Sequence, residues 1–335
     1  MGKYLLGLDC GHTVTKAVLF DLAGNEIASG KGANEQISLH PGWQERTMED
    51  AANAATQAIK GAIKDINPEE IIALGVCGHS DGLYLLDKNL KPLRNAIFAT
   101  DNRAKEVAER LAKSVGDKLL STIGQFLFPA SPAALLVWLK ENEPENYKNI
   151  GAVLHCKDWI NAHLTGIIAE DVSDSAGSYV DMNSYQISDE VLQLTGLTDL
   201  KPTLNKPNFS TTIIGTITEE IAKQTGLSPN TKVIAGAHDV HAAAIGVGAY
   251  EFGETSLIFG TWSINQVFAN KPTPDFRWHT RASITPNRWL HMCTSPASAS
   301  NANWFYDLFG IHSIDEITKL LLQADKALTN NDRPL

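Results

Sequence analysis

Cysteine is scarce in this sequence, with 4 among 335 residues, at positions 10, 77, 156 and 293, each far from the others. No CxxC pair exists, which excludes zinc ribbons and thiol–disulfide motifs; isolated cysteines of this kind serve as small buried hydrophobes in a reducing compartment. Positive charge is also short. Lys and Arg total 28 against 38 Asp and Glu, a formal net charge of −10, and no basic stripe appears, so nucleic acid is not an expected partner. No apolar run approaches the roughly 20 residues of a membrane-spanning helix. The opening MGKYLLGLD enters a strand at once without a signal-peptide apolar region, and residue 6 is Leu where a myristoylation signal needs Ser or Thr. These absences point to a cytoplasmic protein with no membrane partner. Two nucleotide signatures are missing as well: there is no GxxxxGK[ST], and no GxGxxG between a strand and a helix.

What is present can fold. With 43% hydrophobic and 20% charged residues the chain can bury real cores, and its length suggests about two domains. Strand-like runs at Leu5–Asp9 and Thr15–Asp21 flank a turn holding Gly11, His12 and Thr13, with Lys16 just beyond. Read alone, this is a polar hairpin; a Gly-Thr turn between strands can equally aim backbone N–H groups and a hydroxyl at a phosphate. A third strand is expected near Glu26–Ser29. A helix follows, capped by Thr47 with Asp50 completing a capping box, then a buried parallel-type strand at 71–77 and another at 83–87. Charged amphipathic periodicity predicts a helix over 101–116 closing on Gly116. A second helix begins at Ser131–Pro132, and a third covers about Lys157–Leu164, ending at Gly166. After a short strand at Val233–Ala235 comes GAHDVHAAAIGVGA, and then the opening pattern returns: a strand at 255–259, the turn GTWS, and a strand at 264–269. Two such hairpins, each leading a domain, suggest a duplicated fold with a cleft between the halves.

In GAHDVHAA, His238 and His241 lie three apart, but no third ligand has suitable spacing, and no transition metal is expected there. Asp239 reads either as a helix N-cap or as a general base ending a strand among small residues that leave room for substrate.

Taken together, LLGLDCGHTVTKAVLFD, PGWQER, LGVCGHSDGLYLLDKNLKPLRNAIFATDNRA, GAHDVHAAAIGVG and LIFGTWS occur in the order and spacing of the FGGY carbohydrate kinases. The chain resembles that family from residue 4 onward. Within it, GTW in place of the usual GTS, and SPASASNANWF at 295–305, look most like the L-xylulose/3-keto-L-gulonate kinase branch. The resemblance implies an α/β, actin-like (ribonuclease H-like) two-lobed fold. Residues 1–248 would form the first lobe with the sugar site and first phosphate hairpin, and residues 249–335 the start of the second with the other hairpin. It implies ATP and Mg²⁺ as cofactors and a small ketose or polyol as substrate, and it leaves a homodimer open. By similarity Asp239 is the general base. Asp9 serves Mg²⁺ through water, Gly11, Thr13 and Lys16 form the first phosphate hairpin, and Gly260 and Thr261 the second, Thr13 and Thr261 touching the transferred group.

The segment GHSDG stands where xylulokinases contact sugar, with Ser80 and Asp81 where a Met-His pair is usual and His79 just before them. Asp81 could accept hydrogen bonds from two hydroxyls, which suits a neutral sugar better than a carboxylated one unless a nearby cation compensates; it also reads as a turn residue before Gly82. Trp43 is a candidate wall of the sugar pocket or a buried residue packing its loop, and Asp101, with Arg103, a candidate sugar contact or a helix cap beside an exposed arginine. Family members are longer, and Gly310 is the sole glycine between Trp304 and Leu335. The second lobe is therefore expected to be incomplete and to lack the glycine-rich adenosine segment, so that ATP binds poorly. The alternative reading is a non-catalytic sugar-binding or regulatory fragment that keeps the kinase fold.

Overall fold

A computed structural model describes residues 2–259, 263–295, 298–311 and 313–329. Strands β1 (Tyr4–Cys10), β2 (Val14–Asp21) and β3 (Glu26–Ala33) form an antiparallel meander. Helix α1 (Met48–Ile63) returns the chain to β4 (Ile71–Gly78), which pairs parallel with β1. Thr47 caps α1 by accepting the Asp50 N–H, as its sequence predicts. The Asp50 carboxylate does not close a capping box; it accepts the backbone N–H of Glu35 at 2.9 Å and ties the loop after β3 to the helix.

The chain then leaves this sheet. Strand β5 (Tyr84–Asp87) pairs with β6 (Ile150–Leu154) in a separate two-stranded sheet. Around it pack α2 (Lys105–Ile123) and α3 (Pro132–Asn142), whose apolar faces form a second core with Leu83, Leu85 and Val153. Helix α2 passes through Gly116 and ends instead at Gly124, which takes the left-handed conformation (φ 72°) and returns its N–H to Leu120. The apolar pattern continues through Leu119, Leu120 and Ile123, and that burial outweighs the propensity cost of one internal glycine, about 1 kcal/mol.

Helix α4 (Cys156–Thr165) and the single turn α5 (Val172–Ser175) lead to β7 (Ile213–Thr216) and β8 (Lys232–His238). These complete a six-stranded sheet in the order β7-β8-β4-β1-β2-β3. One face is covered by α1 and α4 over a core of Leu6, Leu8, Leu74, Val76 and Ile160. The opposite face explains why β4 alternates in burial rather than being buried throughout: Gly75 and Cys77 line a cavity there.

Helix α6 (Asp239–Gly246) leaves the end of β8 and leads to a second, four-stranded antiparallel sheet. Its strands are β9 (Thr255–Phe259), β10 (Ser263–Ala269), β11 (His279–Ala282) and β12 (Trp289–Ser295), in the order β9-β10-β12-β11. Val240 and Ala244 of α6 pack with Phe268, Leu290 and Met292 of this sheet. Helices α7 (Ala299–Leu308) and α8 (Ile314–Thr329) follow, with Trp304, Phe309 and Ile314 exposed.

Candidate functional site

Strand β8 breaks register with β4 between Ile234 and Ala237, at Gly236, whose φ is +76°. A Cβ at Gly236 would run into the Val76 carbonyl, so this kink needs glycine. The kink is braced on both sides: Gly236 donates its N–H to Ser210 O (2.9 Å), and Asn161 Nδ2 donates to Ala235 O (2.8 Å). Beyond it, the Ser173 hydroxyl accepts the His238 N–H at 2.9 Å. Asp239 is thereby set at the first position of α6, with His238 at the cap. His238 Nε2 lies 3.1 Å from Asp239 Oδ1, and the Asp239 side chain is 37% exposed.

Two cavities meet at Asp239. One, of about 810 Å³, is lined by Asp9, Gly11, Lys16, Cys77 and the small residues Ala242 and Ala243. The other, of about 590 Å³, is lined by His79, Ser80, Asp81, Phe126, His279 and Arg281. Gly11 and Asp239 belong to both walls. Asp9 opens to the first cavity, yet the surrounding protein, and then the Asp239 carboxylate, raise its pKa. A cavity face carrying two carboxylates that repel one another fits a hard divalent cation.

The second cavity is built on the 79–81 segment. Asp81 adopts φ +59°, a left-handed conformation that Asp tolerates better than most residues. Its carboxylate is held by Arg281 at 2.8 Å, while the same guanidinium donates to Ser80 Oγ (2.6 Å) and Gln125 Oε1 (2.7 Å). Arg281 comes from β11, two hundred positions along the chain, and its neighbour Thr280 donates a backbone hydrogen bond to Gly124 O at 2.7 Å. The second sheet thus reaches across to close this pocket. Also lining this cavity, the rings of His12 and His79 have centroids 4.2 Å apart. Burial, then His79, lowers His12 to about 3; burial, then Arg281, lowers His279 to about 4. Both rings are neutral at pH 7.

Thr13 sits exposed at the hairpin tip and lines neither cavity. The hairpin itself is pinned by Asn34, whose Nδ2 donates to Gly11 O (2.7 Å) and whose N–H donates to Thr13 O (3.2 Å). Gly260 and Thr261 lie outside the described residues. Trp43 and Asp101 also line neither cavity. Asp101 is buried, accepts the Gln44 N–H at 2.7 Å and grips Arg103 through both oxygens. Arg103 also meets Glu45 at 2.7 Å and stacks 4.1 Å from the Trp43 ring centroid. This knot holds the PGWQER loop.

Directly behind the His238–Asp239 turn lies a buried ionic cluster that no motif announced. Lys157 Nζ is 2.6 Å from Asp158, 2.9 Å from Asp174 and 3.7 Å from Asp171. The ligand atoms of His155, Asp158 and Asp174 lie within 4.8 Å of one another, a metal-like spacing, but the Lys157 ammonium already supplies a cation to two of them. Asp171 caps α5 through the Ser173 N–H (3.0 Å), accepts the Ser173 hydroxyl and takes another from Ser210 at 2.6 Å. Burial pushes Glu170 up to about 7 and Asp171 up to about 6. Asp174 goes the other way: against its burial, Lys157 and then His155 hold it well below the usual carboxylate range. His241 is fully buried, its ring centroid 5.5 Å from that of His238.

Arg281, Gln125, His279 and the Lys157 cluster were not found from sequence. The signal was faint: a charged residue inside the short strand HTRA, and a lysine in a helix otherwise read as ordinary.

Residues 4–246 match the model of the FGGY family of carbohydrate kinases, N-terminal domain, and the chain belongs to that family. It is 31% identical over 334 residues to an L-xylulose/3-keto-L-gulonate kinase of Escherichia coli, covering 98% of this chain and 67% of that protein. Among solved structures, a "xyloylose kinase" from Brucella ovis superposes with a TM-score of 0.85 at 29% identity, over 92% of this chain and 64% of that one. A xylulose kinase from Rhodospirillum rubrum, at 24% identity, shares the fold with a TM-score of 0.89 over 95% and 66%. The chain spans about two thirds of the length of these relatives.

Proposed function

We propose that this chain carries the phosphate and sugar sides of an ATP-dependent carbohydrate kinase, which transfers the γ-phosphoryl group to a hydroxyl of a small ketose or polyol resembling L-xylulose. The observation that carries this reading is the place of Asp239 on the shared wall of the two cavities. A sugar hydroxyl in the smaller cavity would stand between Asp239 and a phosphoryl group in the larger one. Asp239 takes the hydroxyl proton as that oxygen bonds to phosphorus, and the bond to the leaving ADP oxygen breaks. General-base assistance of this kind contributes about 10²–10⁴-fold, the remainder coming from positioning and charge stabilisation.

Gly11 and Lys16 on the first hairpin would receive the phosphates. Asp9 would hold Mg²⁺ through its water; the ion, when bound, supplies positive charge against the phosphates. Asp9 is suited to this because its own charge is otherwise opposed by burial and by Asp239. Gly260 and Thr261 keep the roles that the family resemblance gives them, Thr13, exposed outside both cavities, is given none, and His79, Ser80 and Asp81 shape the sugar side.

A coupled ADP-release screen over L-xylulose, D-xylulose, L-ribulose, erythritol and glycerol, on the longest native chain, tests the reading. Sugar-dependent turnover that drops about 10²–10⁴-fold in Asp239→Asn, with sugar binding retained, is the expected result. A variant that keeps more than about a tenth of wild-type turnover overturns the role of Asp239. Ketose binding without any turnover in the wild type favours the non-catalytic sugar-binding alternative.

A further inference from the structure

Among the described residues that line the smaller cavity, Arg281 is the one permanent cation, and it is 2% exposed. Its two terminal nitrogens bond to protein, to Ser80 Oγ at 2.6 Å, Asp81 Oδ2 at 2.8 Å and Gln125 Oε1 at 2.7 Å, while its buried Nε has no partner. The other Asp81 oxygen accepts from Gln125 Nε2 at 3.4 Å. Arginine cannot release its proton in such a site, so its charge is spent on Asp81. Asp239 then remains on the same wall without a permanent cation of its own, and the rings of His12 and His279 are neutral.

Ligand classes meet this wall differently. Hydroxyl groups can donate to the lone pairs that Asp81 and Asp239 still have free, since a carboxylate offers about four acceptor positions. A ligand carboxylate would come up against two carboxylates, with the charge of Arg281 already answered by Asp81, and like charges brought together in a desolvated site oppose binding.

We propose that the Asp81–Arg281 pair is a specificity device, making this cavity accept an uncharged ketose or polyol and reject a sugar acid of similar size. The inference rests on the reading of this cavity as the sugar pocket. Equilibrium binding by calorimetry tests it, with L-xylulose as the uncharged probe and L-gulonate as the acid, on the 335-residue chain and on Asp81→Asn. The asparagine removes the charge that Arg281 answers while keeping the shape. Wild-type protein should bind the ketose about tenfold or more tightly than the acid, and the variant should narrow or invert that preference by about tenfold. Wild-type binding of the acid as tight as that of the ketose overturns this inference and leaves the sugar pocket standing. No binding of either probe overturns both. A folded variant with unchanged preference removes the pair from the assignment, and if the variant does not fold, the wild-type comparison alone decides.

Discussion

Replacing Lys157 by Met tests whether the site's support is ionic. The ammonium is fully buried and lies 2.6 Å from Asp158 and 2.9 Å from Asp174. At an effective dielectric of about 20, each contact represents roughly 6 kcal/mol of Coulomb attraction, much of it offset by desolvation of the charges. Methionine fills a similar volume but answers none of the carboxylates. Removing one partner of a buried ionic group typically costs about 3–5 kcal/mol, and that is the loss expected near pH 7.5. The pH dependence follows from the directions of the shifts. Glu170 and Asp171 hold protons in the folded state up to about 7 and about 6. The unfolded chain releases them near 4, so these two make stability fall as pH rises from about 4 to about 7. Asp174 is depressed and has the opposite sign, its contribution being present above about 4 and lost as pH drops through its lower folded value. Without Lys157, Asp174 loses its main counter-charge, and the folded cluster takes up further protons as pH is lowered. The variant's deficit should therefore shrink by about 1–2 kcal/mol between pH 7.5 and 5.5, at up to about 1.4 kcal/mol per proton per pH unit. Urea unfolding at both pH values measures it. A deficit under about 1 kcal/mol, or one that does not change with pH, refutes the assignment of the cluster as an ionic support.

Two further substitutions probe the frame around the cavities. Gly236→Ala places a Cβ against the Val76 carbonyl at φ +76°; it should cost about 2 kcal/mol or more in urea unfolding, and a loss below about 1 kcal/mol would show that the kink is not strained. Asp101→Ala leaves Gln44 N–H without its acceptor and takes one of two carboxylates from buried Arg103. A loss of about 3–5 kcal/mol by the same measurement is expected, and an unfolding midpoint equal to wild type would return Asp101 to the candidates for ligand contact.

Much of the frame was legible in the residues. The β1–β2 hairpin, the Thr47 cap, the parallel strand at 71–78 and the 255–269 hairpin all rest on local periodicity and cap chemistry, which need no knowledge of distant chain. Local reading failed where burial by distant residues decided the outcome. Gly116 looked like a helix end because a glycine closes a charged stretch, but the apolar residues beyond it found a core on β5 and β6 and drew the helix on to Gly124. Asp50 had the spacing of a capping box, yet the loop after β3 presents it with a better donor. Trp43 was read as a pocket wall or a loop-packing residue, and Asp101 with Arg103 as a sugar contact or a helix cap; the fold brings the three together, bonded or stacked on one another.

The order of motifs along the chain determined the family, the fold class and several of the segments that line the two cavities, because those features are carried by short runs whose chemistry is local. Asp9, Gly11, Asp81 and Asp239 were all within reach of that reading. Tertiary structure alone decided what faces them. Arg281 is separated from Asp81 by two hundred residues, and the ion pair forms because β11 reaches across to Gly124 and Gln125. Lys157 read only as the start of a short helix; in the fold three carboxylates, Asp158 of α4, Asp171 just before α5 and Asp174 within it, gather around it. Charge pairing in a buried site depends on distances of a few ångströms between elements far apart in the chain, and sequence spacing carries no record of those distances.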